Sequence, residues 1–97
     1  MIREIFMPGL PEYGGGLPGK IIEWKKLLGD KVIEGETLVT ISTDKAEMDV
    51  ELSQGGYLAI ILAEAGEEVP CGNPIALIAE TEAEIEEAKK QAAYRDR

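Results

Sequence analysis

The chain repeats itself once, and that repeat limits the fold more than any other feature. The segment GKIIEWKKLLGDKVIEGETLVTIS, Gly19 to Ser42, aligns without a gap on GYLAIILAEAGEEVPCGNPIALIA, Gly56 to Ala79, at a constant offset of 37 residues. Gly19 falls on Gly56, Gly29 on Gly66, Gly35 on Gly72, Val32 on Val69, Leu38 on Ile75 and Ile41 on Ile78. A unit too small to bury its apolar face alone has to bury it against its own copy. Each copy reads as a strand (Ile21 to Trp24; Leu58 to Leu62), a glycine turn, a short extended piece at the valine, a second glycine turn and a second strand. Short strands separated by such turns predict an all-β sandwich or barrel, and two copies predict two sheets about a pseudo-twofold axis.

The segments outside the repeat fit around it. Ile2 to Met7 reads as a first strand stopped by Pro8-Gly9, and Leu10 to Gly19, with two prolines and four glycines, as a loop. That loop lacks the spacing of a phosphate-binding glycine motif, because Gly19-Lys20 is followed by Ile rather than Ser or Thr. From Leu38 to Leu52, Leu38, Thr40 and Ser42 alternate with Val39 and Ile41, then Met48, Val50 and Leu52 alternate with Glu47, Asp49 and Glu51. This is the period of two strands, and Thr43-Asp44-Lys45-Ala46 between them suits a four- to five-residue hairpin loop on a type I turn. Lys45 then stands at the tip, a compact amine on a flexible stem that another enzyme can reach. The first repeat ends at Ser42 and the second at Ala79, so the lysine turn corresponds to the chain exit near Glu82. Lys45 and the chain termini are therefore expected at opposite ends of the molecule. After Ala79 the pattern Thr81-Glu82-Ala83-Glu84 is a capping box, and acids early with bases late predict a helix from about Glu82 to Tyr94. Ile85 and Tyr94 are its only sizeable apolar residues, so it is expected to lack a docking stripe and to form a loosely attached tail or the start of a linker.

Composition narrows the chemistry. Ten basic against 19 acidic residues leave a net charge of −9, which opposes nucleic acid and anionic membrane surfaces as partners. No apolar run approaches the roughly 20 residues of a membrane span, and the opening MIRE is too acidic for a signal or transit peptide. A soluble, unexported chain is expected. The single cysteine, Cys71, cannot form an internal disulfide and reads as packing filler in a reducing compartment. With no histidine, the Ser-His-Asp and Cys-His arrangements and the usual zinc sites are out of reach, so neither a catalytic centre nor a metal site is expected. The many carboxylates fall on alternating strand faces and on the tail, as solvated surface.

Met7-Pro8, Ile22-Glu23-Trp24, Gly29-Asp30-Lys31-Val32, Gly35-Glu36, Thr43-Asp44-Lys45-Ala46, Gly66-Glu67-Glu68-Val69 and Gly72-Asn73-Pro74-Ile75 together resemble the lipoyl domains of 2-oxo acid dehydrogenase complexes, within the wider biotinyl/lipoyl carrier family. The likeness covers Ile2 to about Glu80. The opening MIREIFMP and the stretch IALIAETEAEIEEAKKQAA are similar to the acetyltransferase component of cyanobacterial and plastid pyruvate dehydrogenase. This resemblance implies a flattened barrel or sandwich of two four-stranded antiparallel sheets over residues 1–80, with a charged helical or linker tail over 81–97. It implies lipoic acid covalently attached to Lys45, with Thr43, Asp44 and Ala46 as the turn that the modifying enzyme recognises. Biotin carriers place their lysine between methionines, and here the neighbours are Asp and Ala, so lipoylation is preferred to biotinylation. An unmodified interaction domain of the same fold is a further alternative. The implied partners are a lipoylating ligase or transferase, a thiamine-dependent 2-oxo acid decarboxylase, a dihydrolipoamide acyltransferase core and dihydrolipoamide dehydrogenase. The isolated domain is then a monomeric carrier, not an enzyme, in the cytoplasm or a plastid stroma.

Three departures from the family pattern stand out. Ser42 occupies a place where glutamate is frequent, and Gly55-Gly56 has two glycines where one is typical, which is expected to add flexibility. The third is the loop at Leu10 to Gly19, which by family analogy lies near the lysine turn. Its Glu12, Tyr13, Gly14, Gly15 and Gly16 are expected to help a partner recognise its own carrier.

Overall fold

The computed structural model describes residues 1–8, 18–43 and 46–95. The elements run β1 (Arg3–Phe6), β2 (Gly19–Trp24), β3 (Lys31–Val32), β4 (Thr37–Ser42), β5 (Glu47–Glu51), β6 (Gly56–Ile61), β7 (Glu68–Val69), β8 (Pro74–Ala79) and α1 (Glu84–Arg95). They build two four-stranded sheets, β1-β8-β6-β3 and β5-β4-β2-β7, in which every pairing is antiparallel. The all-β, two-sheet expectation holds.

The 37-residue offset is a structural rule as well as a sequence one. β2, β3 and β4 start and stop 37 residues before β6, β7 and β8. Even the irregularities repeat, since β2 slips register against β4 between Ile21 and Glu23, and β6 against β8 between Leu58 and Ile60. The edge strands obey a second equivalence. Gly35 N–H donates to Leu52 O and Gly72 N–H to Met7 O, so Met7 and Leu52 occupy the same place in the two halves. Both side chains are buried.

Buried apolar side chains from the two sheets meet in one core whose members are equivalent by the 37-residue offset: Ile21 and Leu58, Val32 and Val69, Leu38 and Ile75, Ile41 and Ile78. The turns between them are held by local polar contacts that also repeat. Leu27 N–H donates to the Asp30 carboxylate at 2.9 Å, and Glu64 N–H to the Glu67 carboxylate at 2.5 Å. Gly29 and Gly66, inside those turns, have φ of 88° and 93°, where a side chain would crowd the backbone. Trp24 spans the halves by donating its indole N–H to Ala63 O at 2.9 Å.

Two expectations need correction. Gly55-Gly56 is a site of close packing, because a Cβ on Gly56 would lie 2.6 Å from Ile78 Cγ2 and 2.8 Å from Ala79 O, and one on Gly55 would lie 2.9 Å from Val32 O. The absence of side chains there admits neighbouring strands; flexibility is not the reason for the pair. The terminal helix, expected to be loosely attached, is docked. Ile85, Ala88 and Ala92, one face of α1, pack on Ala59, Leu77 and Ala79 from the outer side of β6 and β8, and Ala88 is fully buried. Its first turn is closed by Glu84, whose carboxylate accepts Glu80 N–H at 3.0 Å and Thr81 N–H at 3.3 Å. Alanines make a docking stripe when the facing sheet brings large residues close, and Tyr57, Ile60 and Leu62 supply those.

Candidate functional site: the β4–β5 hairpin

β4 and β5 are joined by the four residues Thr43 to Ala46. Thr43 and Ala46 are described, whereas Asp44 and Lys45 lie outside the described residues, as do Glu12, Tyr13, Gly14, Gly15 and Gly16 of the expected partner-recognition loop. The ladder runs up to Ser42 opposite Glu47. One step further, Thr43 and Ala46 make three contacts. Thr43 N–H donates to Ala46 O at 2.9 Å, the Thr43 hydroxyl donates to the same carbonyl at 3.2 Å, and Ala46 N–H donates to that hydroxyl at 3.3 Å. In the sequence only Asp44 and Lys45 stand between these two residues.

The hairpin stands on the body of its sheet. Ser42 faces Lys20 on β2 as well as Glu47 on β5, and Lys20 in turn faces Glu68 on β7. Residues directly opposite share a face, so Glu68, Lys20, Ser42 and Glu47 form one row across all four strands just below the turn. A second row, Glu23, Thr40 and Asp49, lies below, with the Thr40 hydroxyl donating to Asp49 at 2.9 Å. The Lys25 ammonium reaches Glu23 at 2.7 Å; that bond, the Glu23 charge and then Asp49 raise its pKa. These rows join residues of different strands and repeats, and only the pairing register reveals them.

On β5 the alternation predicted from sequence is real but its burial fades toward the turn. Leu52 is buried, Val50 half-buried and Met48 44% exposed. Among the described residues every buried side chain is apolar and no group of His, Cys, Asp or Glu is arranged to hold a metal ion. Two surface grooves, of about 510 and 670 Å³, are lined by Lys31, Ile33, Gly55 and Tyr57 and by Ile22, Trp24, Leu27 and Ile61, and neither includes a hairpin residue. Among the described residues, the hairpin is paired into its sheet up to Ser42 and Glu47 and closed beyond them by Thr43 and Ala46. Such a place suits a group carried on the outside.

A family model described as "Biotin-requiring enzyme", of the biotin/lipoyl type, matches residues 9–78. The chain belongs to the biotin/lipoyl family. By family and fold it is a carrier domain of the lipoyl type, a unit that bears a covalently attached lipoyl or biotin group and is not itself a catalyst. It is 53% identical over 88 residues to the dihydrolipoyllysine-residue acetyltransferase component 4 of the chloroplastic pyruvate dehydrogenase complex of Arabidopsis thaliana, and 51% identical over 92 residues to component 5. The matches take in 91% and 95% of this chain but only 18% and 19% of those proteins, so the chain spans under a fifth of the curated relatives' length. Other relatives are mitochondrial pyruvate dehydrogenase acetyltransferases. Among solved structures, the lipoyl domain of the 2-oxoglutarate dehydrogenase complex from Azotobacter vinelandii superposes with a TM-score of 0.65 at 28% identity, over 78% of this chain and 96% of that one. The biotin/lipoyl domain described here thus has the two-sheet body of that relative.

Proposed function

We propose that Lys45 carries lipoic acid in amide linkage, and that the domain shuttles acyl groups, acetyl first among them, and electrons between the enzymes of a pyruvate dehydrogenase complex. The observation that carries this reading is the closed turn: Thr43 and Ala46 are paired at the end of an exposed hairpin, with only Asp44 and Lys45 between them. The relatives' names support lipoate over biotin and pyruvate over other 2-oxo acids.

When attached, the group supplies a disulfide and dithiol couple that can take up an acyl unit and two electrons. The residues of this chain do the rest by position. Thr43 and Ala46 hold the turn, and the Ser42 row fixes the turn on the sheet. Amide formation removes the lysine charge, which leaves Asp44, Glu47, Asp49 and Glu51 as an acidic surround for partners to read. Residues 1–80 form the carrier body, α1 docks on it, and in this reading a flexible connection tethers the unit within the complex. On such a tether, successive encounters become local ones at high effective concentration.

In this reading the partners are a lipoylating ligase or transferase, the thiamine-dependent decarboxylase, the acyltransferase core and dihydrolipoamide dehydrogenase. The setting in this reading is the cytoplasm or a plastid stroma. Intact mass of the native protein, with the modified peptide mapped, tests the assignment. One lipoyl adduct on Lys45, absent from Lys45→Arg, is expected. A biotin adduct, or native protein without modification, would overturn it.

A further inference from the structure

We infer that the Thr43 hydroxyl is the positioning group of the carrier turn, setting the shape in which Lys45 is offered to the enzyme that modifies it; this rests on the reading of Lys45 as the attachment site. Three other turns of this fold are closed by a carboxylate. At 27–30, 33–36 and 64–67 a carboxylate at the fourth residue accepts the N–H of the first: Asp30 from Leu27, Glu36 from Ile33, Glu67 from Glu64. The carrier turn is built the other way round. Its first residue, Thr43, accepts the N–H of the fourth, Ala46, with an uncharged oxygen, and the same hydroxyl donates back to the Ala46 carbonyl. With the Thr43 N–H on that carbonyl as well, both polar backbone groups of Ala46 are engaged by one residue.

The position equivalent to Thr43 in the second repeat is Glu80, where the chain runs on into α1 and no such clasp exists; Glu80 N–H goes to the Glu84 carboxylate instead. The clasp belongs to the one place where the repeat must reverse. A hydroxyl locks that reversal without placing another carboxylate beside the lysine. An anion there would hold the amine protonated, and modification needs the free amine as nucleophile. Ligase-catalysed modification forms the amide between the lysine Nζ and the carboxyl carbon of ATP-activated lipoate, with AMP leaving and the ammonium giving up two protons.

The test uses Thr43→Val, which keeps the shape and removes the hydroxyl, and Thr43→Ser, which keeps it. In the unmodified domain, hydrogen exchange at the Ala46 amide is expected to speed up in T43V and to stay near wild type in T43S. With a lipoate ligase, lipoate and ATP, T43V is expected to lose about 3- to 10-fold in kcat/KM, the size of one modest hydrogen bond, and T43S to restore most of it. T43V that exchanges and is modified as fast as a wild-type protein lipoylated on Lys45 overturns the role of Thr43 alone. Wild-type protein that takes no lipoyl group on Lys45 overturns the reading beneath it as well.

Discussion

One substitution made at the same place in both repeats separates packing from symmetry. Gly19 and Gly56 are equivalent by the 37-residue offset, and each begins the first strand of its repeat. An alanine Cβ on Gly56 would stand 2.6 Å from Ile78 Cγ2 and 2.8 Å from Ala79 O. Ile78 is fully buried, and Ala79 O belongs to the neighbouring strand, whose residue Ala79 pairs with Tyr57, so neither gives way without moving the sheet. On Gly19 the first atom met is Met7 Sδ at 2.5 Å, with Met7 Cε and Cγ at 3.2 Å. That neighbour is an unbranched side chain that can change rotamer. Overpacking against stiff neighbours costs about 1–3 kcal/mol, so G56A is expected to lose about 2 kcal/mol and G19A under about 1 kcal/mol. At a urea slope of about 1 kcal/mol per M for a domain this small, G56A lowers the midpoint by about 2 M and G19A by less than half of that. Urea titration read by the fluorescence of Trp24, the only tryptophan, measures both. Equal slopes with G19A as destabilised as G56A would refute the claim that the neighbour's stiffness decides the cost.

Two further perturbations probe the helix and one part-buried ion pair. Ala88→Arg forces a charge against Ala59, Leu77 and Ala79 and should undock α1; losing burial of about 100 Å² of apolar surface costs roughly 2–3 kcal/mol, and the uncovered face should self-associate on sedimentation. An unchanged urea midpoint in a monomer would show that the helix is not part of the folded unit. Glu36, held below the usual carboxylate range by the Lys26 ammonium and then by the Ile33 N–H, contributes stability that is present above its unfolded pKa and lost as pH falls through the folded one. Between about pH 5 and pH 3 the wild type should therefore lose more of its urea midpoint than Glu36→Gln does.

The docked helix shows where the sequence was readable and where it was not. Its hydrophobic content, Ile85 among alanines, gives little sign of docking when α1 is read alone. The sign lies in the difference between the repeats. At 57, 59, 60, 62, 77 and 79 the second copy has Tyr, Ala, Ile, Leu, Leu and Ala, while the first has Lys, Ile, Glu, Lys, Thr and Ser at 20, 22, 23, 25, 40 and 42. The inward positions match and these do not, which is what one covered and one bare outer face require. The strands, the glycine turns and the hairpin were legible because period and offset are local properties of the chain. The Glu68, Lys20, Ser42, Glu47 row and the packing at Gly56 were not, because each depends on which strands become neighbours. Of the proposed site, the motif around Lys45 supplied only the expectation of an attachment residue. The closure by Thr43 and Ala46 needed coordinates.

Function in this domain resides where the two halves differ. A pseudo-twofold barrel presents every feature twice, and the matched core of Ile21 and Leu58, Leu38 and Ile75, Ile41 and Ile78 is indifferent to which half carries a group. The halves part at the end of their last strands. After β4 the chain reverses under the Thr43 clasp, with Lys45 in the connection, and after β8 it leaves through Thr81 into α1. They part again on their outer faces, one apolar and covered by the helix, the other polar and open beside the hairpin. The open face carries Glu68, Lys20, Glu47, Glu23 and Asp49, while the helix covers the corresponding face of the other half. The same repeat that makes the core self-sufficient thus leaves one outer face open beside the hairpin and the other covered by α1.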